Sequence, residues 1–243
     1  MKILVIGETC KDVFCYGKSE RLAPEAPAPV FVPLSTITNP GMAMNVQKNI
    51  LSLDCECDIV TNDNWEEIVK TRYIHKNTNQ MFLRIDENDD TIERCDVKQI
   101  PLKKYDMIIV SDYCKGFLTE KDIRWIGANH DCVFLDTKKQ LGDWCNTVDY
   151  IKINNSEYRR SEKHITGTLR SKLIVTLGEK GCRYLEKIYP VKSVEIKDVS
   201  GAGDTFIAGL AVKYLQTQDM DQAITFANHC ATNVVQRRGV NTL

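Results

Sequence analysis

An α/β layered fold is predicted by three features of the chain. Short β-type apolar runs recur along it, amphipathic stretches of helical length fall between them, and 243 residues with 43% hydrophobic content supply one substantial core. A small appended subdomain is compatible with that length; two independent domains are not expected.

In chain order, Lys2–Gly7 is the first buried strand, followed by a proline-rich excursion over Asp12–Leu34 with four prolines between Pro24 and Pro33. Ala43–Leu53 carries apolar residues at helical spacing. A second excursion runs through Tyr73–Ile100, in which Met81–Asp86 reads as an isolated strand. Prolines suit sheet edges and turns, so both excursions are predicted to form a small antiparallel sheet outside the main layer, a flap able to cover a ligand. Met107–Ser111, Val133–Asp136, Tyr150–Ile153 and Leu173–Leu177 are further parallel strands, with a weaker helix at Glu120–Ala128 between the first two. Helices at Ala202–Gln216 and Asp221–Gln236 close the pattern.

Composition excludes several classes of function. Thirty-two basic against 33 acidic residues leave a net charge of -1, so no global field points to nucleic acid or an anionic membrane. The apolar start at Met1–Gly7 is too short for a secretory h-region, and no run approaches the ~18 apolar residues of a span, so a soluble cytoplasmic protein is expected. Ten cysteines scattered through core-like segments read as reduced thiols; Cys55 and Cys57 lack CxxC spacing and a nearby histidine.

The most informative segment is Lys197–Gly209, where the Gly-rich turn Ser200-Gly-Ala-Gly-Asp204 runs directly into an apolar helical pattern. Glycines let backbone approach a phosphate, and the free N–H groups of a first helical turn point at it with the positive end of the helix dipole. A carboxylate in such an anion cradle repels the phosphate unless its charge has a task. Accepting the proton of an attacking hydroxyl in phosphoryl transfer is such a task, which makes Asp204 the candidate base. A plain first-turn acid, stabilising by about 1 kcal/mol, is the structural alternative. Walker-type and dinucleotide-type glycine motifs are absent.

The run Asp198-x-x-Gly-Ala-Gly-Asp-Thr-Phe206 resembles the C-terminal signature of the ribokinase-like (PfkB-type) carbohydrate kinases, and other blocks follow in that family's order along almost the whole chain. The resemblance implies a three-layer α/β/α kinase domain over 1–243, with lid segments at about 12–34 and 71–100. It assigns Gly201, Ala202 and Gly203 to the anion hole and Asp204 to the catalytic base. Asp12, Gly41 and Asn45 would contact sugar hydroxyls; Thr176, Gly178 and Gly181 would border ATP; Asn154 and Glu157, in Asn-x-x-Glu, would hold magnesium through water. Without the resemblance, that last pair reads as a helix start.

Pro24-Glu-Ala-Pro27, Ser111-Asp-Tyr-Cys-Lys-Gly116 and Asp136-Thr-Lys-Lys139 are similar to the heptose-phosphate kinases, the kinase half of bifunctional enzymes that make ADP-heptose for lipopolysaccharide. The implied reaction is phosphorylation of D-glycero-β-D-manno-heptose 7-phosphate at O1 by ATP, with the adenylyltransferase step left to a separate protein. Arg72, Arg84, Lys115 and Lys138 are the candidate phosphate-binding cations. A homodimer through the flap is a further expectation. Three departures stand against the family pattern. The segment Val60–Thr71 is short, Met42 replaces the second glycine of the sugar loop and would intrude on ligand space, and Gly239–Leu243 leaves little to wall an adenine pocket. A catalytically weak sugar-phosphate or nucleotide-binding protein, and a kinase for another sugar or a nucleoside, remain open.

Overall fold

The computed structural model describes residues 1–239 and 242–243; the part of the expected adenine wall at Val240 and Asn241 lies outside them. Strands β1 (Lys2–Gly7), β2 (Thr9–Leu22) and β3 (Pro29–Met42) lead into helix α1 (Ala43–Ser52). Then come β4 (Glu56–Val60), β5 (Val69–His75), β6 (Met81–Glu87), β7 (Met107–Asp112), α2 (Glu120–Asn129), β8 (Val133–Thr137), β9 (Tyr150–Asn154) and α3 (Asn155–Ser161). The short α4 (Gly167–Arg170), β10 (Leu173–Thr176), β11 (Cys182–Tyr184), β12 (Lys187–Tyr189), α5 (Ala202–Thr217) and α6 (Met220–Val234) complete the order.

Eight strands form the main sheet in the order β12-β11-β10-β9-β8-β7-β1-β4, parallel from β10 to β4 with an antiparallel β11–β12 edge. Alternation along its strands builds two cores. Leu4, Ile6, Ile108, Val110, Leu135 and Ile153 pack on the side of α2 and α4, while Ile3, Val5, Ile109 and Phe134 pack on the side of α1, α5 and α6. The layers are therefore helix, sheet, helix, as expected. Strand β4 and the β11–β12 edge go beyond the predicted set. All ten cysteines are unpaired thiols, and among the described residues no helix is long and apolar enough to cross a membrane.

The smaller sheet has the order β3-β2-β5-β6. Its two hairpins are antiparallel, but β2 and β5 pair in parallel, from Lys11 opposite Val69 to Gly17 opposite His75. This corrects the expectation of an antiparallel flap: both hairpins leave the main sheet from the same end, after β1 and after β4, so their first strands run side by side. The flap is also longer at its first hairpin than predicted. Strands β2 and β3 span Thr9 to Met42, so the sugar-loop residues Pro40, Gly41 and Met42 belong to β3, whereas residues 88–100 lie outside the strands. Between β4 and β5 only Thr61–Ile68 connects the two sheets, without a helix.

Met42 does not intrude on ligand space as expected. It is buried in the core with Leu4, Ile6, Cys10 and Ile68, and its backbone, at φ 59° and ψ -129°, occupies a region that strains a residue with a Cβ. Packing of the thioether against the core therefore opposes a backbone strain of about 1–3 kcal/mol. The usual order of substitutions should invert here: in urea unfolding Met42→Gly should be more stable than Met42→Ala by about 1 kcal/mol, although it also gives up the buried Cβ. Equal midpoints, or a more stable alanine variant, would show that the backbone is relaxed.

Candidate functional site

Parallel strands present their carboxyl ends at one edge of a sheet, where connecting loops leave room for a ligand. At that edge the chain collects ionisable side chains: Glu8 after β1, Asp112 and Tyr113 at the end of β7, Asp136 on β8, Lys152 on β9, and Asp204 in the first turn of α5.

Asp204 is the focus. Gly201, in the left-handed conformation at φ 78°, turns the chain into α5, which begins at Ala202 and places Asp204 in its first turn. Both carboxylate oxygens are held by neutral donors. Asn45 Nδ2 donates to Oδ2 at 2.8 Å, and the Tyr113 hydroxyl donates to Oδ1 at 2.6 Å. Asn45 is itself oriented by Asn49, whose amide donates to the Asn45 carbonyl at 2.8 Å and to its Oδ1 at 3.3 Å; Thr205 Oγ1 donates to Asn49 Oδ1 at 3.2 Å. Burial pushes the Asp204 carboxyl up to about 6, against the Asn45 and Tyr113 hydrogen bonds, with Asp136 adding to the rise and Lys152 opposing it. A carboxyl poised there is charged at neutral pH and keeps useful basicity.

Beneath the turn lies a charge cluster. Lys152 Nζ, almost wholly buried, donates to Asp136 Oδ2 at 2.6 Å. It reaches so close under Gly203 that a Cβ there would stand 2.9 Å from the ammonium and the lysine end would have to shift. Lys138 pairs with Glu157 Oε1 at 2.8 Å and lies 3.7 Å from Asp136 Oδ1. Burial disfavours the Asp136 anion, but Lys152 and then Lys138 outweigh it and hold its pKa below the usual range. Its Oδ1 is buried without a hydrogen-bond partner. Asn154 and Glu157 form the capping box of α3: Asn154 Oδ1 accepts from the Glu157 N–H at 2.9 Å, and Glu157 Oε2 accepts from the Asn154 N–H at 2.7 Å. The helix-start reading of this pair is thus realised, and Asn154 is also the sheet partner of Thr176.

A cleft of about 480 Å³ opens beside the turn and brings together Thr176, Gly178, Gly181, Ala202, Gly203 and Thr232. On the other side stands the smaller sheet. Two cross-strand rows share one of its faces: Asp12, Lys70 and Asp86, then Phe14, Arg72 and Arg84. Arg72 pairs with Asp12 and stacks on Phe14, its guanidinium 4.9 Å from the ring centre. A Cβ at Gly41 would stand 2.1 Å from Asp12 Oδ2, so this glycine makes room for that carboxylate. Arg84 and Lys115, two of the candidate phosphate-binding cations, are paired with carboxylates: Arg84 Nε bonds Asp86 Oδ1 at 2.7 Å and Lys115 bonds Asp89 Oδ2 at 2.6 Å, while Lys70 bonds both aspartates. Asn45 likewise faces Asp204 from within the protein and is 1% exposed. The buried Cys10 thiol senses both halves of the site: burial and Asp12 raise its pKa, Lys70 and Arg72 oppose the rise, and Asp204 adds to it.

Sequence reasoning missed Tyr113, Asp136, Lys152, Glu8 and Asn49 as members of this cluster. The signal for Asn49 was available, since Asn45 and Asn49 lie four apart on the apolar stripe of a helix. Tyr113 and Asp136 sat inside motifs already singled out. Glu8 and Lys152 adjoin or sit within apolar strands and carry no pattern of their own.

Burying Asp204 opposes folding wherever the carboxyl must be charged. With its native pKa near 6 and its unfolded value near 3.8, the folded state binds the proton more tightly, so stability is full below pH 4 and is lost as pH rises to 6, by about 2–3 kcal/mol. Asp204→Asn should therefore be more stable than the parent at pH 7–8, with the gain shrinking between pH 6 and 4 in urea unfolding. A gain independent of pH would place the cause elsewhere.

Comparison with known proteins agrees with this architecture. The chain is 30% identical over 295 aligned positions to the bifunctional protein HldE of Helicobacter pylori strain HPAG1, covering 98% of this chain and 63% of the relative. The chain thus spans less than two thirds of that relative's length, yet the alignment is longer than the chain's own 243 residues, so the relative also carries residues that this chain lacks within the matched span. Among solved structures, ribokinase from Thermotoga maritima superposes with a TM-score of 0.75 at 16% identity, covering 98% of this chain and 94% of that one. Ribokinase from Arabidopsis thaliana in complex with ribose and ATP gives 0.67 at 14% identity, covering 98% and 93%. Residues 53–243 match the family profile described as pfkB family carbohydrate kinase; with Asp204 on the turn into α5 and a cleft beside it, the chain belongs to the pfkB family of carbohydrate kinases.

Proposed function

We propose that this carbohydrate kinase uses ATP to phosphorylate a sugar that already carries a phosphate, namely O1 of D-glycero-β-D-manno-heptose 7-phosphate, giving the 1,7-bisphosphate. The observation that carries the reading is the placement of Asp204, a buried carboxylate next in sequence to the cleft-lining Ala202 and Gly203 and felt by the same Cys10 thiol that feels Asp12, Lys70 and Arg72 of the smaller sheet. In this reading Asp204 accepts the proton of the sugar hydroxyl. The N–H groups at Gly201 and Gly203, with that of Ala202 once it leaves the Val199 carbonyl it now bonds at 3.2 Å, stabilise the transferring phosphoryl, and Thr176, Gly178 and Gly181 border the nucleotide. Asp12, Gly41 and Asn45 form the sugar side, with Asn45 acting through Asp204.

The smaller sheet supports a phosphorylated acceptor. Arg72 and Arg84 lie directly opposite each other on antiparallel strands, an apposition of like charges that is unfavourable without anions between or beside them. Asp12 and Asp86 supply those anions in the free protein. A sugar phosphate can take their place, with Lys115 at the loop end.

The donor set also fits magnesium. Among the described residues no cluster of three or more metal-binding side chains occurs, but Glu157 and the Oδ1 of Asp136, which accepts no hydrogen bond, lie either side of the Lys138 ammonium, and two carboxylates suffice for an ion that keeps several waters. Asn154 and Glu157, with Asp136, would hold it, and the ion would neutralise charge on the nucleotide phosphates. Such a kinase works in the cytoplasm, where ATP is available, and its product suits an adenylyltransferase step. Exposed Val32, Leu34, Met81 and Leu83 on the two edge strands of the lid support a homodimer through it; a light-scattering mass of one chain would remove that part of the reading.

The test is ADP release from magnesium-ATP with heptose 7-phosphate, fructose 6-phosphate and ribose. Turnover is expected with the heptose phosphate, falling at least about a thousandfold in Asp204→Asn. No turnover with retained binding of ATP or sugar phosphate would make the chain a binding protein instead. Arg84→Met should raise KM for the phosphorylated sugar about tenfold or more while leaving ribose unaffected, since one charge-assisted pair is lost; an equal effect on both sugars would remove the phosphate from this face.

A further inference from the structure

The hydroxyl of Tyr113 on Asp204 is built in from behind. Glu8, fully buried at the end of β1, accepts the Tyr113 N–H on Oε2 at 2.9 Å and the Lys115 N–H on Oε1 at 2.8 Å, while Asp112 Oδ1 accepts the Cys114 N–H at 3.3 Å. These bonds pin a loop that doubles back through positive φ at Cys114 (60°) and Gly116 (103°). The Lys138 ammonium lies 5.3 Å over the Tyr113 ring, so the phenol bridges the carboxylate of Asp204 and the cation that pairs with Glu157. A loop whose only task was to connect β7 to α2 would not need a buried acid to fix two of its N–H groups.

We propose that Tyr113 is a positioning residue for the base: its hydroxyl on Oδ1 and the Asn45 amide on Oδ2 fix the plane of the Asp204 carboxylate and leave its remaining lone pairs to the acceptor hydroxyl. The proposal rests on the reading of Asp204 as the base. A carboxylate with one free oxygen can rotate about its Cβ–Cγ bond and meet the substrate in many orientations; held at both oxygens it meets it in one. Neutral donors suit the task, because a cation in direct contact would make the anion too weak a base. The phenol itself stays protonated, since burial, then the charge of Asp204, push its pKa well up.

The groups facing Asp204 are Asn45 from α1, Cys10 from β2, Tyr113 after β7, Asp136 and Lys138 at the end of β8, and Lys152 from β9. Of these, only Asn45 and Tyr113 donate hydrogen bonds to it. Removing the phenol removes a bond to the charged form, so the carboxyl should hold its proton to higher pH; strengthening the phenol as a donor should do the reverse.

The experiment follows the Asp204 carboxyl by carbon-13 NMR in protein labelled at aspartate Cγ, assigned with Asp204→Asn, alongside kcat against pH with magnesium-ATP and heptose 7-phosphate. In Tyr113→Phe both midpoints should move up together by about one pH unit, with kcat at neutral pH down about tenfold to a hundredfold. With 3,5-difluorotyrosine at position 113, which keeps the ring and donates more strongly, both should move down; this second variant decides the matter if the phenylalanine protein does not fold. A carboxyl midpoint unmoved by either change overturns the proposal, as does a moved midpoint with an unaltered kcat profile. Absence of turnover in the parent chain refutes the substrate reading instead, and the NMR midpoint then decides alone whether Tyr113 governs Asp204.

Discussion

The structure depends on keeping one carboxylate charged in a place that disfavours charge. Asp204 is nearly excluded from water at the start of a helix whose following residues, Thr205 to Val212, are buried. Four features compensate in part, against the added repulsion of Asp136: the helix dipole, the Asn45 amide, the Tyr113 hydroxyl and the distant pull of Lys152. The compensation is incomplete, which leaves the group basic. A fully paired aspartate there would be more stable and a poorer proton acceptor, the trade-off between stability and activity that the proposed role of Asp204 as base implies.

The same logic separates the two charge clusters. Below the glycine turn, Asp136 and Lys152 neutralise each other almost completely out of water, an arrangement that resists the loss of either partner. On the smaller sheet the pairs are more exposed and shared, with Lys70 bonded to two aspartates and Asp89 bonded to two lysines. The outer pair of Arg84 with Asp86 is exposed enough to exchange partners at little cost, whereas Lys70 and Asp12 are buried. The first cluster therefore suits a fixed floor and the second a surface that re-pairs when an anion arrives.

The sequence made the large architecture legible because its signals are local and periodic. The parallel strands with helices between them, and the glycine turn running into α5, all depend on patterns a few residues long. What escaped depends on pairing at a distance. The direction of β2 against β5 follows from where two hairpins leave the main sheet, which no local pattern records. The pairing of Arg84 and Lys115 with Asp86 and Asp89 follows from sheet register. Met42 was read from its place at a glycine position of the sugar loop, whereas its backbone conformation and its place in the core decide where the side chain goes. Tyr113 stood inside a recognised motif, but only the fold brings position 113 to position 204.

The parallel junction between β2 and β5 has a consequence for how the chain reaches this structure. Each hairpin of the smaller sheet can form from neighbouring residues, but joining them requires Lys11 to meet Val69 across an intervening helix and a main-sheet strand. Loop closure of that length is unfavourable until β1 and β4 have paired and brought the two exits together. The smaller sheet should thus be the last part to assemble and the first to open, which places the cationic face on the region of the molecule best able to move without disturbing the cores.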